Sequence, residues 1–184
     1  MTLPILVDCD GVLADFEQAV LDIASRTFDV HVTKDQLTRW DQVCMLHPEL
    51  RDAVSRAVNH GLCRNLLPCD GAGDFMSALE RAFGADNVLV LTRPWTTAPG
   101  VVCKSWLAQR AAWLETFGVP ENRLIQTGAP KRHVPGFLID DGPHNLGHRA
   151  PGSEFCIARP WNADVKCPRG TYADCLRYLE AFAL

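Results

Sequence analysis

Leu3-Pro4-Ile5-Leu6-Val7-Asp8-Cys9-Asp10-Gly11 opens the chain with a nearly continuous apolar run that stops at two aspartates and a glycine. Such a run, Leu3–Val7, reads as a central parallel strand, because a strand buried on both faces needs no polar alternation. From Leu13 to about Phe28, apolar residues (Leu13, Phe16, Ala19, Val20, Ile23, Ala24) recur at helical spacing. Residues 31–70 are less regular, with a helical stretch Glu49–Asn59 between Pro48 and His60-Gly61. Beyond Pro68 the order is helix Gly71–Phe83, strand Val88–Leu91 ending at Thr92, and a helix from about Val101 to Phe117. Short strands follow at Leu124–Gln126, Phe137–Ile139 and Phe155–Ala158, and Tyr172–Phe182 reads as a closing helix. Strands alternating with helices predict an α/β fold, a central parallel sheet flanked by helices with right-handed crossovers.

The composition is that of a folded globular chain of one domain, or of a core with one insertion. Of 184 residues, 47% are hydrophobic and 22% charged, which excludes intrinsic disorder and fibrous repeats. The 18 Lys+Arg against 22 Asp+Glu leave a net charge of −4, so no broad basic field exists for duplex nucleic acid or an anionic membrane. No apolar run approaches the ~20 residues of a membrane span. The opening lacks a basic n-region, so a signal peptide is not expected. The 8 cysteines are scattered without a Cys-x-x-Cys pair. Reduced thiols in a cytoplasmic protein are therefore the expectation, and a zinc site is not.

In α/β sheets ligands gather at the carboxyl ends of strands. Three of the expected strands end there in chemically capable residues: Asp8 with Asp10, Thr92, and Asp140 with Asp141. Four carboxylates at one edge repel one another unless a cation joins them, and hard oxygen donors favour Mg²⁺ with substrate phosphate oxygens. Asp8 suits a nucleophile that attacks phosphorus, and Asp10, two residues on along an extended chain, suits the acid and base. Gly11 permits a sharp turn beside them. The Thr92 hydroxyl and Lys131, which follows Pro130, are placed to hold phosphate oxygens. Each piece has a plainer reading: Asp-x-Asp as a turn or cap, Asp-Asp as loop chemistry, Lys131 beside Arg132 as a solvated pair. The order of all the pieces together is what points to a site.

That order resembles the haloacid dehalogenase superfamily of Mg²⁺-dependent phosphatases. Within it, Asp8-Cys9-Asp10-Gly11-Val12-Leu13-Ala14-Asp15-Phe16 resembles the first motif of the 5'(3')-deoxyribonucleotidase family. Leu46–Leu50, Leu66–Gly71, Leu91-Thr92-Arg93-Pro94 and Leu138-Ile139-Asp140-Asp141 fall in that family's order, so the similarity covers roughly residues 3–145. The resemblance implies a Rossmann-like core, residues 1–16 and 71–184, with a small helical cap, residues 17–70, inserted after the first motif. It implies Asp8 as nucleophile and metal ligand, and Asp10 as general acid/base lending its carbonyl to the metal. It also implies Thr92 and Lys131 as phosphate ligands, Asp141 as a direct Mg²⁺ ligand with Asp140 in support, and Phe16 against the nucleobase.

Two departures stand out. Arg93 occupies the position after the second-motif threonine, commonly serine in animal members. It can clamp a second phosphate or a base edge, or pair with a nearby carboxylate. Aromatic residues are sparser in the cap, where Trp40, with Trp95 beside the second motif, are the candidates for the base, or else core. His144 lies near the site and reads as a loop histidine; Trp106 and Trp113 read as core, and Arg110 as solvated. The expected activity is hydrolysis of nucleoside monophosphates, a small-molecule partner, through an aspartyl-phosphate. A phosphatase of sugar phosphates or nucleic-acid 3' ends is the alternative, and a non-catalytic binding protein a third. Oligomeric state, a homodimer included, is not legible in the chain.

Overall fold

The computed structural model describes residues 3–98 and 101–182. The strands are β1 (Ile5–Asp8), β2 (Val88–Thr92), β3 (Thr96–Ala98), β4 (Val101–Val102), β5 (Leu124–Gln126), β6 (Phe137–Asp140), β7 (Glu154–Ile157) and β8 (Arg169–Gly170). The helices are α1 (Phe16–Phe28), α2 (Gln42–Met45), α3 (Leu50–Asn59), α4 (Ala72–Phe83), α5 (Lys104–Thr116) and α6 (Tyr172–Phe182). Six strands form one parallel sheet in the order β5-β2-β1-β6-β7-β8, an α/β core of Rossmann type. The strand read from the sequence as Leu3–Val7 is β1, Ile5–Asp8, central and buried along its whole length, with Leu3 exposed ahead of it.

The sheet order reverses beside β1, which has β2 on one side and β6 on the other, and ligand crevices form at such a point. Asp8 is level with Leu91, and Val7 with Ile139. Asp8, Thr92 and Asp140 therefore leave the sheet at one edge. On one face Ile5, Val7, Val88, Val90 and Ile139 pack with α4, α6 and the end of α5. On the other, Leu6, Leu91, Leu138 and Cys156 are covered by loop residues such as Leu146 and Val134. Each fully buried aliphatic side chain contributes about 1.5–3 kcal/mol, which makes β1 a stiff base for the carboxylate at its end.

Over the carboxyl edge lies a helical layer. Val20 and Ala24 of α1 and Leu50, Val54 and Val58 of α3 bury their apolar faces against Cys103 and Trp106 at the start of α5. Leu21, Leu37 and Trp161 make a second contact with the core. Among the described residues no helix is long and apolar enough to cross a membrane.

Two helix starts and one strand depart most from the sequence reading. The first helix begins at Phe16, not Leu13, because Gly11 takes φ +77° and the amides of Leu13 and Ala14 both return to the Cys9 carbonyl at 2.8 Å. Asp15 then caps α1, its Oδ1 accepting from the Gln18 amide at 3.2 Å. The helix expected from Val101 begins at Lys104, since Val101–Val102 pairs antiparallel with Thr96–Ala98. A sixth sheet strand, β8, also appears beside β7.

Candidate active site

Asp8, at the tip of β1, is 3% exposed, and its Oδ1 is ion-paired with Lys131 Nζ. Lys131 comes from a single 3₁₀ turn, Lys131–His133, and is itself 6% exposed. Its Nζ also reaches Asp140 Oδ2 at 3.2 Å, so one ammonium bridges two carboxylates. The Cys9 amide donates to Asp8 Oδ1 at 2.5 Å.

Asp140 and Asp141 are both fully buried, yet their hydrogen bonding differs. Asp140 Oδ1 accepts from the Gly142 amide at 2.7 Å, and Asn145 Nδ2 lies 3.1 Å and 3.3 Å from its two oxygens. Asp141 Oδ2 accepts from Trp161 Nε1 at 3.2 Å, whereas its Oδ1 is buried with no donor among the described residues. One oxygen from each of Asp8, Asp140 and Asp141 falls within 4.8 Å of the others. Three buried hard-oxygen donors, one with an orphaned oxygen, fit Mg²⁺ and suit neither a soft metal nor a thiolate site.

Gly11 makes the crowding feasible. A Cβ at this residue would lie 2.3 Å from Asp141 Oδ2, and φ +77° is a left-handed conformation. Arg159 fixes the turn from outside, its Nε and Nη2 donating to the Gly11 carbonyl at 2.9 Å and 2.6 Å.

The electrostatics follow from burial. Burial and the neighbouring Asp140 raise the Asp8 pKa well above the carboxylate range, against the pull of Lys131. Burial, then Glu17 and Asp140, do the same to Asp141. Burial works against the charge on Lys131, but Asp140 and Asp8 outweigh it and hold its pKa above the ordinary value. Glu17, on the first turn of α1, is pushed up to about 7 by burial and by Asp10. Sequence reading did not single out Glu17; its place directly after Phe16 in the first motif was the only signal.

A cleft of about 410 Å³ opens above these groups, lined by Asp8, Asp10, Thr92 and Lys131 and, outside them, Arg93, Trp95, Trp40 and His144. The structure thus brings nearly all the expected residues to one place. Trp40 lies 5.1 Å from the His144 ring, and Trp95 Nε1 donates to Ser55 Oγ at 3.2 Å. Phe16 stands one layer back, its ring 5.6 Å from that of Trp95, and does not line the cleft. Arg93 is exposed and forms no ion pair among the described residues. His144 is exposed at the cleft rim, and partial desolvation lowers its pKa. A second cleft of about 290 Å³, beyond Gly11 and Arg159, reaches neither Asp8 nor Asp10. The larger one holds the chemistry.

Arg110 contradicts the expectation of a solvated side chain: it is 0% exposed. Its Nη2 donates to Asp10 Oδ1 at 2.5 Å, and its guanidinium carbon sits 5.3 Å and 5.8 Å from the rings of Trp106 and Trp113. Both tryptophans are buried as expected, at 1% and 4% exposure, but they pack around a cation. Charge alone pointed to solvent. The flanking tryptophans, four residues before and three after on one helix face, were the available signal.

Comparison with known proteins agrees with this geometry. Among solved structures, a haloacid dehalogenase-like hydrolase from Burkholderia xenovorans LB400 is similar at 14% identity and TM-score 0.53, covering 98% of this chain and 97% of its own. The L-2-haloacid dehalogenase PA0810 is similar at 13% identity and TM-score 0.51, with 98% and 100% covered. At such identities the likeness speaks for the fold, that of haloacid dehalogenase-superfamily hydrolases. No curated protein matches. The family described as "5' nucleotidase, deoxy (Pyrimidine), cytosolic type C protein" matches residues 2–175, a span that takes in β1, β2, β6 and every carboxylate described above. With its first-motif aspartates, second-strand threonine and paired aspartates on one sheet edge, the chain belongs to that 5' deoxynucleotidase family of the haloacid dehalogenase superfamily.

Proposed function

We propose that this phosphatase is a Mg²⁺-dependent phosphomonoesterase that cleaves nucleoside monophosphates to nucleoside and phosphate through an aspartyl-phosphate at Asp8. The observation that carries the reading is the buried set of Asp8, Asp140 and Asp141 within 4.8 Å, the first two bridged by Lys131, beneath a cleft with tryptophan walls. Mg²⁺, held by Asp8, Asp141 and the Asp10 carbonyl with Asp140 in support, would neutralise phosphate charge and the repulsion between phosphate and nucleophile.

The chain's own groups supply the rest. An Asp8 oxygen attacks phosphorus as the bond to the nucleoside oxygen breaks, and Asp10 gives that oxygen its proton. Asp10 then takes a proton from water, whose oxygen attacks phosphorus, releasing phosphate and restoring the Asp8 carboxylate. Lys131 and Thr92 bind phosphate oxygens where negative charge develops, and Arg93 at the cleft mouth adds a further guanidinium for phosphate. Trp40 and Trp95 flank the base, with Phe16 behind Trp95 holding its ring. Residues 17–70 act as a cap over the core of residues 1–16 and 71–184, and its closure excludes water from the cleft. Eight free thiols support residence in a reducing compartment such as the cytoplasm.

A phosphate-release screen tests the proposal, with deoxy- and ribonucleoside monophosphates, sugar phosphates and 3'-phosphorylated oligonucleotides, each with Mg²⁺ and with EDTA. Mg²⁺-dependent release that favours monophosphates is expected. Equal turnover of sugar phosphates and deoxyuridine monophosphate would argue against a nucleotidase, and absence of release from every substrate would argue against an enzyme.

A further inference from the structure

Arg110 carries a charge deep inside the protein. It is 0% exposed, and Asp10 is its one carboxylate partner among the described residues. Its Nε and Nη1 are buried with no acceptor. Around it lie the rings of Trp106 and Trp113. A buried pair with idle donors does not favour folding, since apolar residues of like volume commonly replace such pairs with no loss of stability. What the arrangement does achieve is geometric. Asp10, whose side chain is 27% exposed, lines the cleft, and its Oδ1 accepts from a guanidinium flanked by two indole rings. Oδ2 makes no hydrogen bond with the described residues, and Asp10 lines the cleft.

We infer that Arg110 is a positioning residue that orients the Asp10 carboxyl so that its free oxygen meets the leaving oxygen of the substrate. This rests on the proposed function, in which Asp10 gives a proton to the departing nucleoside. The Asp8–phosphorus bond forms, the phosphorus–nucleoside oxygen bond breaks, and the Asp10 proton ends on that oxygen. With p-nitrophenyl phosphate the phenolate departs without a proton and Asp10 keeps its own. A residue that acts through Asp10 therefore affects the first substrate far more than the second, whereas general damage to the fold lowers both alike.

The test compares kcat/KM, which reports the steps up to transfer of phosphorus to Asp8, for a nucleoside monophosphate and for p-nitrophenyl phosphate. For Arg110→Met the ratio of the two is expected to fall at least about tenfold, a fraction of the ~10²–10⁴-fold that general acid catalysis contributes, because Asp10 is misaimed and not removed. Arg110→Lys, which keeps the charge and loses the fork, should recover part of it. In an Asp10→Asn background, Arg110→Met should lower the ratio no further, because the two residues act as a unit. An Arg110→Met ratio within about twofold of wild type, or a further fall in the Asp10→Asn background, would overturn the inference. An unchanged ratio in Asp10→Asn alone would instead remove the acid role of Asp10, and with it the reading beneath. Should a thermal melt show Arg110→Met unfolded, the lysine variant decides: a lowered ratio supports positioning, a wild-type ratio refutes it.

Discussion

Replacing Lys131 by Met would remove the internal cation that bridges Asp8 and Asp140, 3.2 Å from the latter, and leave three buried carboxylates facing one another. Breaking a buried pair by deleting one partner costs about 3–5 kcal/mol. In a chain of this size each kcal/mol moves the melting temperature by about 2–4 °C, so a fall of ~6–20 °C is expected at pH 7 in EDTA. Acid should relieve it. Burial and Asp140 already raise the Asp8 pKa, and losing Lys131 raises it further. A carboxylate whose folded pKa exceeds its unfolded value holds more protons when folded, so its destabilisation is present above the folded pKa and fades as pH falls through it. Melting curves at pH 7 and pH 5, with EDTA and with saturating Mg²⁺, supply the readout. Mg²⁺ should restore part of the loss, about 2.7 kcal/mol at a hundredfold excess over its dissociation constant. A variant that melts within about 2 °C of wild type at pH 7 in EDTA would refute the electrostatic reasoning. So would a deficit of the same size at both pH values.

Three further outcomes follow from the same geometry. Gly11→Ala should abolish turnover and weaken Mg²⁺ binding in calorimetry, because its Cβ would lie 2.3 Å from Asp141 Oδ2 at a left-handed φ; wild-type affinity would show the turn to be yielding. Asp141→Asn should weaken Mg²⁺ binding at least about tenfold with a small change in melting temperature, since Asp141 Oδ1 has no protein donor to lose. Asp140→Asn should lower the melting temperature more, because its carboxylate accepts from Gly142, Asn145 and Lys131; the reverse ranking would exchange the two roles.

The parts of this molecule that sequence reading reaches are those where local pattern and tertiary demand agree. An unbroken apolar run ending in Asp8-Cys9-Asp10-Gly11 has few places to go except the middle of a parallel sheet, and the strand tips at Thr92 and Asp140 follow once β1 is placed. Where the two levels diverge, the reading slips. Leu13 has helical spacing, yet the Gly11 turn holds it at the site and delays α1 until the Asp15 cap. Val101 and Val102 extend an apolar periodicity, but as β-branched residues they pair with β3 instead. The strand β8 is two residues long, too short for any periodicity. Arg110 is the largest divergence. Its burial depends on Asp10, one hundred residues away in the chain, and no window of local sequence carries that contact.

The central claim is that Asp8 takes up the phosphoryl group, and Asp8→Asn tests it most directly, since it removes the nucleophile's charge with almost no change of shape. Phosphate release from a nucleoside monophosphate in saturating Mg²⁺ should fall by several orders of magnitude in that variant, while its melting temperature stays at or above that of wild type. Release at the wild-type rate would contradict the account outright.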